Sequence, residues 1–238
     1  MNLTPATMDK VFFNFPVSLL RPAFINVQKV CKDIIDYAIF KHSETLQGNP
    51  TKRIKDSAKY YGIIPGNISQ MIENGKMLYQ STPDKTAMTG IGKSLLFEYY
   101  KNDKSDFEIA LLLSFLAIKS ILGKKSYCRI TTDYLLCRMA GYNSKTEMKE
   151  LPEGLKKYQF RYHQDNLKLE LKQSFGLKIY GRYTRGFFVS FDLTFEQLIK
   201  EVEMKRKRYI EKTQRGEQSK AVKKVLLEFY STNTITTP

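Results

Sequence analysis

The sequence predicts a mainly α-helical protein with one small β-hairpin, and three observations lead there. Apolar residues recur at helical spacing through most of the 238 residues. Two start signals, Ser105-Asp106-Phe107-Glu108 and Thr194-Phe195-Glu196-Gln197, place a hydroxyl and a carboxylate or amide where the first helical N–H groups need acceptors. Two β-rich runs, "LKIYGRY" and "FFVSFDL", flank a turn at Thr184-Arg185-Gly186. The expected organisation is a helical N-terminal region over 1–104, a second module over 105–193, and a basic helix with a flexible tail over 194–238.

Taken in order, residues 1–21 read as an apolar arm, extended or strand-like. A helix is expected after Pro22, because "AFINVQKVCKDIIDYAIF" places Phe24, Val27, Val30, Cys31, Ile34, Ile35 and Ala38 on one face. Gly48-Asn49-Pro50 ends it. Two short helices follow around "GIIPG", and "YQSTPDKTAMTGIG" reads as loop before a helix from Lys93 to about Lys101. The helix Asp106 to Leu122 is apolar on nearly all sides, which makes it the central core helix, and Gly123 ends it. "YCRI" reads as a strand and "TTDYLLCRMAGY" as a short helix ended by Gly141. A long helical region spans about Ser144 to Ser174 with a break at Leu151-Pro152, and the hairpin follows. The basic helix after Thr194 is expected to break at Gly216, and "STNTITTP" to be a disordered tail.

The formal net charge is +15 and the pI near 9.6, which favours a polyanionic partner. Cys31, Cys128 and Cys137 form no CxxC pair, which fits a reducing cytoplasm. With only His42 and His163 besides, no zinc-ligand spacing is present and no metal or other cofactor is expected. The longest apolar run, "IALLLSFLAI", is well short of the roughly 20 residues that span a bilayer, so no membrane association is expected. The N-terminal apolar run has no small-residue cleavage site and does not read as a signal peptide.

One short stretch points elsewhere. "AMTGIGKS", Ala87 to Ser94, has the spacing of a phosphate-binding loop. Such a loop needs a buried strand before it and a parallel sheet around it. The preceding "YQSTPDKT" is polar and contains proline, and the chain has no alternation of strands and helices. Nucleotide binding is therefore the alternative, and a glycine-flexible loop capping the Lys93 helix is the simpler expectation.

The second half carries a more coherent pattern. In "LLLSFLAIKSILGKKSYCRITTDYLLCRMAGYNSKT" and "NLKLELKQSFGLKIYGRYTRGFFVSF" the order is core helix, strand, short helix, longer helix, hairpin. It resembles the winged-helix modules of replication initiators and transcriptional regulators from bacterial plasmids and mobile elements. Leu136, Met139, Ala140 and Gly141 match the brace helix, and Leu167, Leu171, Phe175, Gly176 and Leu177 match the end of the groove-entering helix. The stretch from Gly141 to Asp165 is longer than the family's short turn. The resemblance implies a third helix in the major groove and a wing against the backbone. On that helix the outward candidates are Arg161, His163, Gln164, Asn166, Lys168 and Lys172, and on the wing Arg182, Tyr183 and Arg185.

A shorter signal lies at residues 54–73. Ala58, Gly62 and Ile68 have the offsets of a helix-turn-helix, and Asn67 is placed to cap its second helix. This resembles phage-repressor-type motifs and implies outward Asn67, Ser69 and Gln70, with Asn74 and Lys76 beyond them. The run Lys205-Arg206-Lys207-Arg208 adds phosphate contacts or self-association into a homodimer to the expectations. No histidine cluster suits a relaxase, and Arg161 with His163 matches no recombinase pattern, so a non-enzymatic double-stranded-DNA-binding protein is expected. A winged helix that docks protein would instead show an apolar exposed face.

Overall fold

A computed structural model describes residues 11–181 and 186–233, the side chains of 229–233 excepted. The chain is mainly helical with two small antiparallel sheets, and it divides into a compact unit Met1–Asp192 and a second unit Leu193–Pro238.

Strand β1, Phe12–Pro16, alternates strictly at its start, with Phe13 and Phe15 fully buried and Phe12 and Asn14 outward. It pairs antiparallel with β2, Met88–Gly92, in the register Phe13↔Ile91 and Phe15↔Thr89. The loop expected over "YQSTPDKTAMTGIG" is thus half right. Residues 88–92 extend because the distant N-terminal strand supplies their hydrogen-bond partners, and no local signal announces that partner.

Helix α1, Val27–Ser43, starts one turn later than Phe24, because the Asn26 carboxamide accepts the Lys29 N–H at 2.7 Å. Helix α2, Pro50–Tyr60, follows Asn49, whose side chain accepts from Lys52 N, and proline at its first position loses no helical bond. Helix α3, Ile68–Gln80, is capped by Asn67. Gly62 turns the chain between α2 and α3 at φ +61°, a conformation L side chains rarely adopt. The Ile63 N–H closes that turn on Ala58 O at 2.8 Å. Gly75 seats α3 on α1, since a Cβ there would lie 2.5 Å from Phe40 Cβ and 2.7 Å from Asp36 O.

Helix α4 is Lys93–Lys101 and helix α5 Asp106–Leu122. The capping box of α5 is complete: the Ser105 hydroxyl accepts the Glu108 N–H at 3.3 Å and Glu108 Oε2 accepts the Ser105 N–H at 2.9 Å. Its residues are buried on nearly every side, as expected of a core helix. The Thr89 hydroxyl donates to Leu116 O at 2.9 Å and Lys119 Nζ donates to Gly90 O at 2.9 Å, which ties β2 to α5. One hydrophobic cluster runs from Phe13 to Val189 and takes in residues on both sides of position 104.

Strand β3, Cys128–Ile130, leads into helix α6, Thr132–Met139. Of the helical region expected over about Ser144 to Ser174, the part before the expected break at Leu151-Pro152 does not form. Turns occupy 141–152 and are followed by a short helix α7, Glu153–Lys156, and a 3-10 turn at Lys157–Gln159. Leu151, Leu155 and Tyr158 are buried at i, i+4 and i+7, and the helical turns form only after Pro152, which disfavours helix at the residue before it. Helix α8, Arg161–Phe175, ends at Gly176 in the left-handed region. Strands β4, Lys178–Tyr180, and β5, Phe187–Ser190, form the hairpin, and the sheet order is β3-β5-β4 with Ile130↔Phe187 and Tyr180↔Phe188.

In the second unit, helix α9 runs unbroken over Phe195–Asn233. Its start signal forms as expected, with Thr194 N donating to Gln197 Oε1 at 2.9 Å and Gln197 N to Thr194 Oγ1 at 3.2 Å. Gly216 does not interrupt it. A single glycine costs a helix about 1 kcal/mol, which strong helix formers on both sides outweigh. Of the expected tail, residues 231–233 continue the helix and 234–238 lie outside the described residues.

Candidate nucleic-acid interface

Helix α8 is anchored by its apolar side. Leu167 and Leu171 are buried, and the Phe175 ring stacks on Phe115 of α5 at 4.2 Å between centroids. A small apolar cavity lies between α6 and α8, lined by Leu135, Met139, Tyr158, Leu167 and Leu171. The Tyr158 hydroxyl is buried with no hydrogen-bond partner among the described residues, and burial first, then the Asp106 carboxylate, pushes its pKa up to about 12. That leaves Tyr158 a neutral packing group at any ordinary pH.

The outward candidates on α8 separate into three kinds. Arg161, Asn166 and Lys172 are exposed. Arg161 lies 3.4 Å from Asp165, and its side chain is 94% exposed. Lys168 is more committed, with its ammonium 4.7 Å from the Phe187 ring centroid and 3.5 Å from Asp165. Gln164 and His163 point away from that surface. The Gln164 amide is used inside the protein: its oxygen accepts from the Thr132 hydroxyl at 2.9 Å and its nitrogen donates to Gln159 O at 3.2 Å. His163 is half-buried against the rings of Tyr158 and Tyr162. The wing residues Arg182, Tyr183 and Arg185 lie outside the described residues.

The outward set drawn from the sequence omits Tyr162, Leu169 and Gln173. All three are exposed. With Asn166 they sit at i, i+4, i+7 and i+11, a spacing that was legible in the sequence and puts them on one face.

On α3, Asn67, Ser69 and Gln70 are exposed, as is Lys76. The Asn67 oxygen is occupied by capping, accepting the Gln70 N–H at 3.2 Å. Asn74, expected outward, turns instead to α1, donating to Asp33 Oδ1 at 3.1 Å and Asp36 Oδ2 at 2.8 Å. Asp36 is mostly buried, and burial raises its pKa against the lowering effect of the Asn74 bond.

The stretch Ala87 to Ser94 is spent on the fold. The Ala87 N–H donates to Asn143 Oδ1 at 2.8 Å, residues 88–92 pair with β1, and the Lys93 N–H donates to Val11 O at 3.2 Å. The Lys93 ammonium donates to Gly62 O at 2.7 Å. The Ala87 and Lys93 N–H groups and the Lys93 ammonium are therefore engaged in the protein.

Among the described residues no group of three or more His, Cys, Asp or Glu could hold a metal ion. The cysteines are free thiols; burial raises Cys31 to about 12 and Cys128 to about 11, which removes thiolate chemistry from both at neutral pH. No helix among the described residues is long and apolar enough to cross a membrane. Comparison with protein-family models, curated proteins and solved structures yields no match to this chain.

Proposed function

We propose that the chain is a non-enzymatic double-stranded-DNA-binding protein, a transcriptional regulator or a replication or mobilisation accessory factor, built on a winged helix. The observation that carries this is the connectivity of α5, β3, α6, α8, β4 and β5. A core helix, a strand, a brace helix and an outward helix run directly into a hairpin whose second strand completes the sheet order β3-β5-β4. In a winged helix the helix that precedes the hairpin enters the major groove, and α8 holds that position in this connectivity. Arg161 and Lys172 are exposed on α8, and the net charge of +15 supplies the attraction.

The pair α2 and α3 supports a second reading head on the same chain. Ala58 is buried at the turn, Gly62 takes the left-handed conformation, and Asn67 caps the helix that shows Ser69 and Gln70. Two heads would give an extended or paired-site footprint.

Titration of the full chain against a random-sequence duplex, between about 50 and about 200 mM salt, tests the proposal. The affinity is expected to fall steeply with salt, each lost phosphate contact lowering the log–log slope by about 0.9. Binding that is absent at both salts, or indifferent to salt, overturns it.

A further inference from the structure

Helix α8 sorts its exposed residues into two neighbouring rows. At 100° per residue, Arg161, Lys168 and Lys172 fall within about 40° of one another, and Tyr162, Asn166, Leu169 and Gln173 within about 60°, next to the first row. The cationic row contains Asp165, which lies within ion-pair distance of both Arg161 and Lys168. The second row carries no charge, and it is where the helix projects furthest from the buried Leu167 and Leu171. Tyr162 is 72% exposed and Leu169 54%, a large apolar investment on a helix face with nothing over it among the described residues.

We infer that the Tyr162–Asn166–Leu169–Gln173 row reads A·T base pairs from the major groove, while Arg161 and Lys172 hold the neighbouring phosphates. This rests on the duplex-binding function proposed above and names its target chemistry. Carboxamides pair bidentately with adenine N6 and N7, and apolar side chains pack on the thymine methyl. Guanine is read best by arginine or lysine, and the row has neither. Tyr162 and Leu169 at i and i+7 bracket Asn166, so one amide sits between two apolar groups, about 6 Å and about 4.5 Å away along the helix axis. The occupant is a duplex and not an apolar protein surface, because the adjoining row is cationic and the chain is strongly basic.

The test uses the full chain at one salt concentration with four duplexes: an A·T-only sequence, a G·C-only sequence, the A·T sequence with uracil in place of thymine, and the A·T sequence with 7-deazaadenine in place of adenine. The last two remove only major-groove features. The A·T duplex is expected to bind on the order of tenfold more tightly than G·C, with several-fold losses on either base analogue. Leu169→Ala should abolish the uracil effect and Asn166→Ala the deazaadenine effect, both keeping the salt slope and the unfolding midpoint, since both residues are exposed. Equal affinity for all four duplexes, with salt-sensitive binding retained, overturns the base assignment and leaves the duplex function standing. Analogue effects that survive both substitutions overturn the assignment to this row. Self-association that depends on Leu169, with no base preference, makes the row a protein contact and overturns it too. Failure to bind any duplex overturns the underlying function instead.

Discussion

The α2–α3 pair and the α6–α8 pair present the same local idea, a short helix bracing an outward one, by two different routes. In the first, residues 61–67 make the whole connection, and one left-handed glycine with one asparagine cap fixes it. Helix α3 is then pressed on α1 at Gly75 and tied there by Asn74. In the second, residues 140–160 intervene, and α8 has no side-chain cap at Phe160. Its position comes from Leu167, Leu171 and Phe175 packing on α5 and α6, and from Gln164 bonding to Thr132. The tight pair has its rotation set by local chemistry. The loose pair has it set by the core, which is why Gln164 faces inward although its type suggests otherwise. The exposed surfaces differ as well. On α3, Glu73 offsets Lys76, whereas on α8 Arg161, Lys168 and Lys172 share one edge with Asp165.

This contrast can be broken experimentally, and the largest effect is expected where packing alone does the positioning. Leu171→Ala should cost about 2–5 kcal/mol in denaturant unfolding and should loosen α8, weakening duplex binding through position and not charge. Gly75→Ala should cost about 1–3 kcal/mol, because its methyl meets Phe40 Cβ and the Asp36 carbonyl; an unchanged unfolding midpoint would mean that α3 is not seated on α1 as described. The double variant Arg161→Ala/Lys172→Ala should reduce the salt slope of duplex binding by about 2 with no change in stability, while Ser69→Ala/Gln70→Ala should leave the slope unaltered. Equal slope changes in the two pairs would erase the electrostatic distinction between α3 and α8.

Smaller effects concern the helix starts. Asn67→Ala should cost about 1 kcal/mol, since α3 loses its only side-chain cap. At α5, the Ser105 N–H is the main influence holding the Glu108 carboxyl below its ordinary value, opposed by burial and aided by the Ser105 hydroxyl and Lys104. A carboxylate depressed in the folded state stabilises fully above its unfolded pKa, near 4.5, and that contribution is lost as the pH falls through the folded value. Glu108→Gln should therefore flatten the acid side of the stability profile, as read from unfolding midpoints below about pH 5.

The helix starts were legible because a cap is a local transaction between residues three apart. Ser105, Asn67 and Thr194 all cap as the sequence indicates. The core helix α5 was legible for a related reason, as a run apolar on all sides has no surface position open to it. Strand β2 was not legible, because Met88–Gly92 is short and glycine-rich by itself and extends only against Phe12–Pro16. Asn74 was misplaced because its type suits solvent, and only the approach of α1 brings Asp33 and Asp36 within reach. Of the uncharged row on α8 only Asn166 was picked out, for the opposite reason: the spacing was readable, yet a search for cationic and polar groups passes over Tyr162 and Leu169.

By itself the sequence determined the mainly helical class, the caps and turns, and the strong positive charge, since each depends on residue types within a few positions or on their sum. Tertiary structure decided which strand β2 would join, which way α8 would turn, and whether Lys93 would face a ligand or Gly62. Those outcomes depend on groups far apart in the chain, and their free energy appears only once burial has brought the groups together.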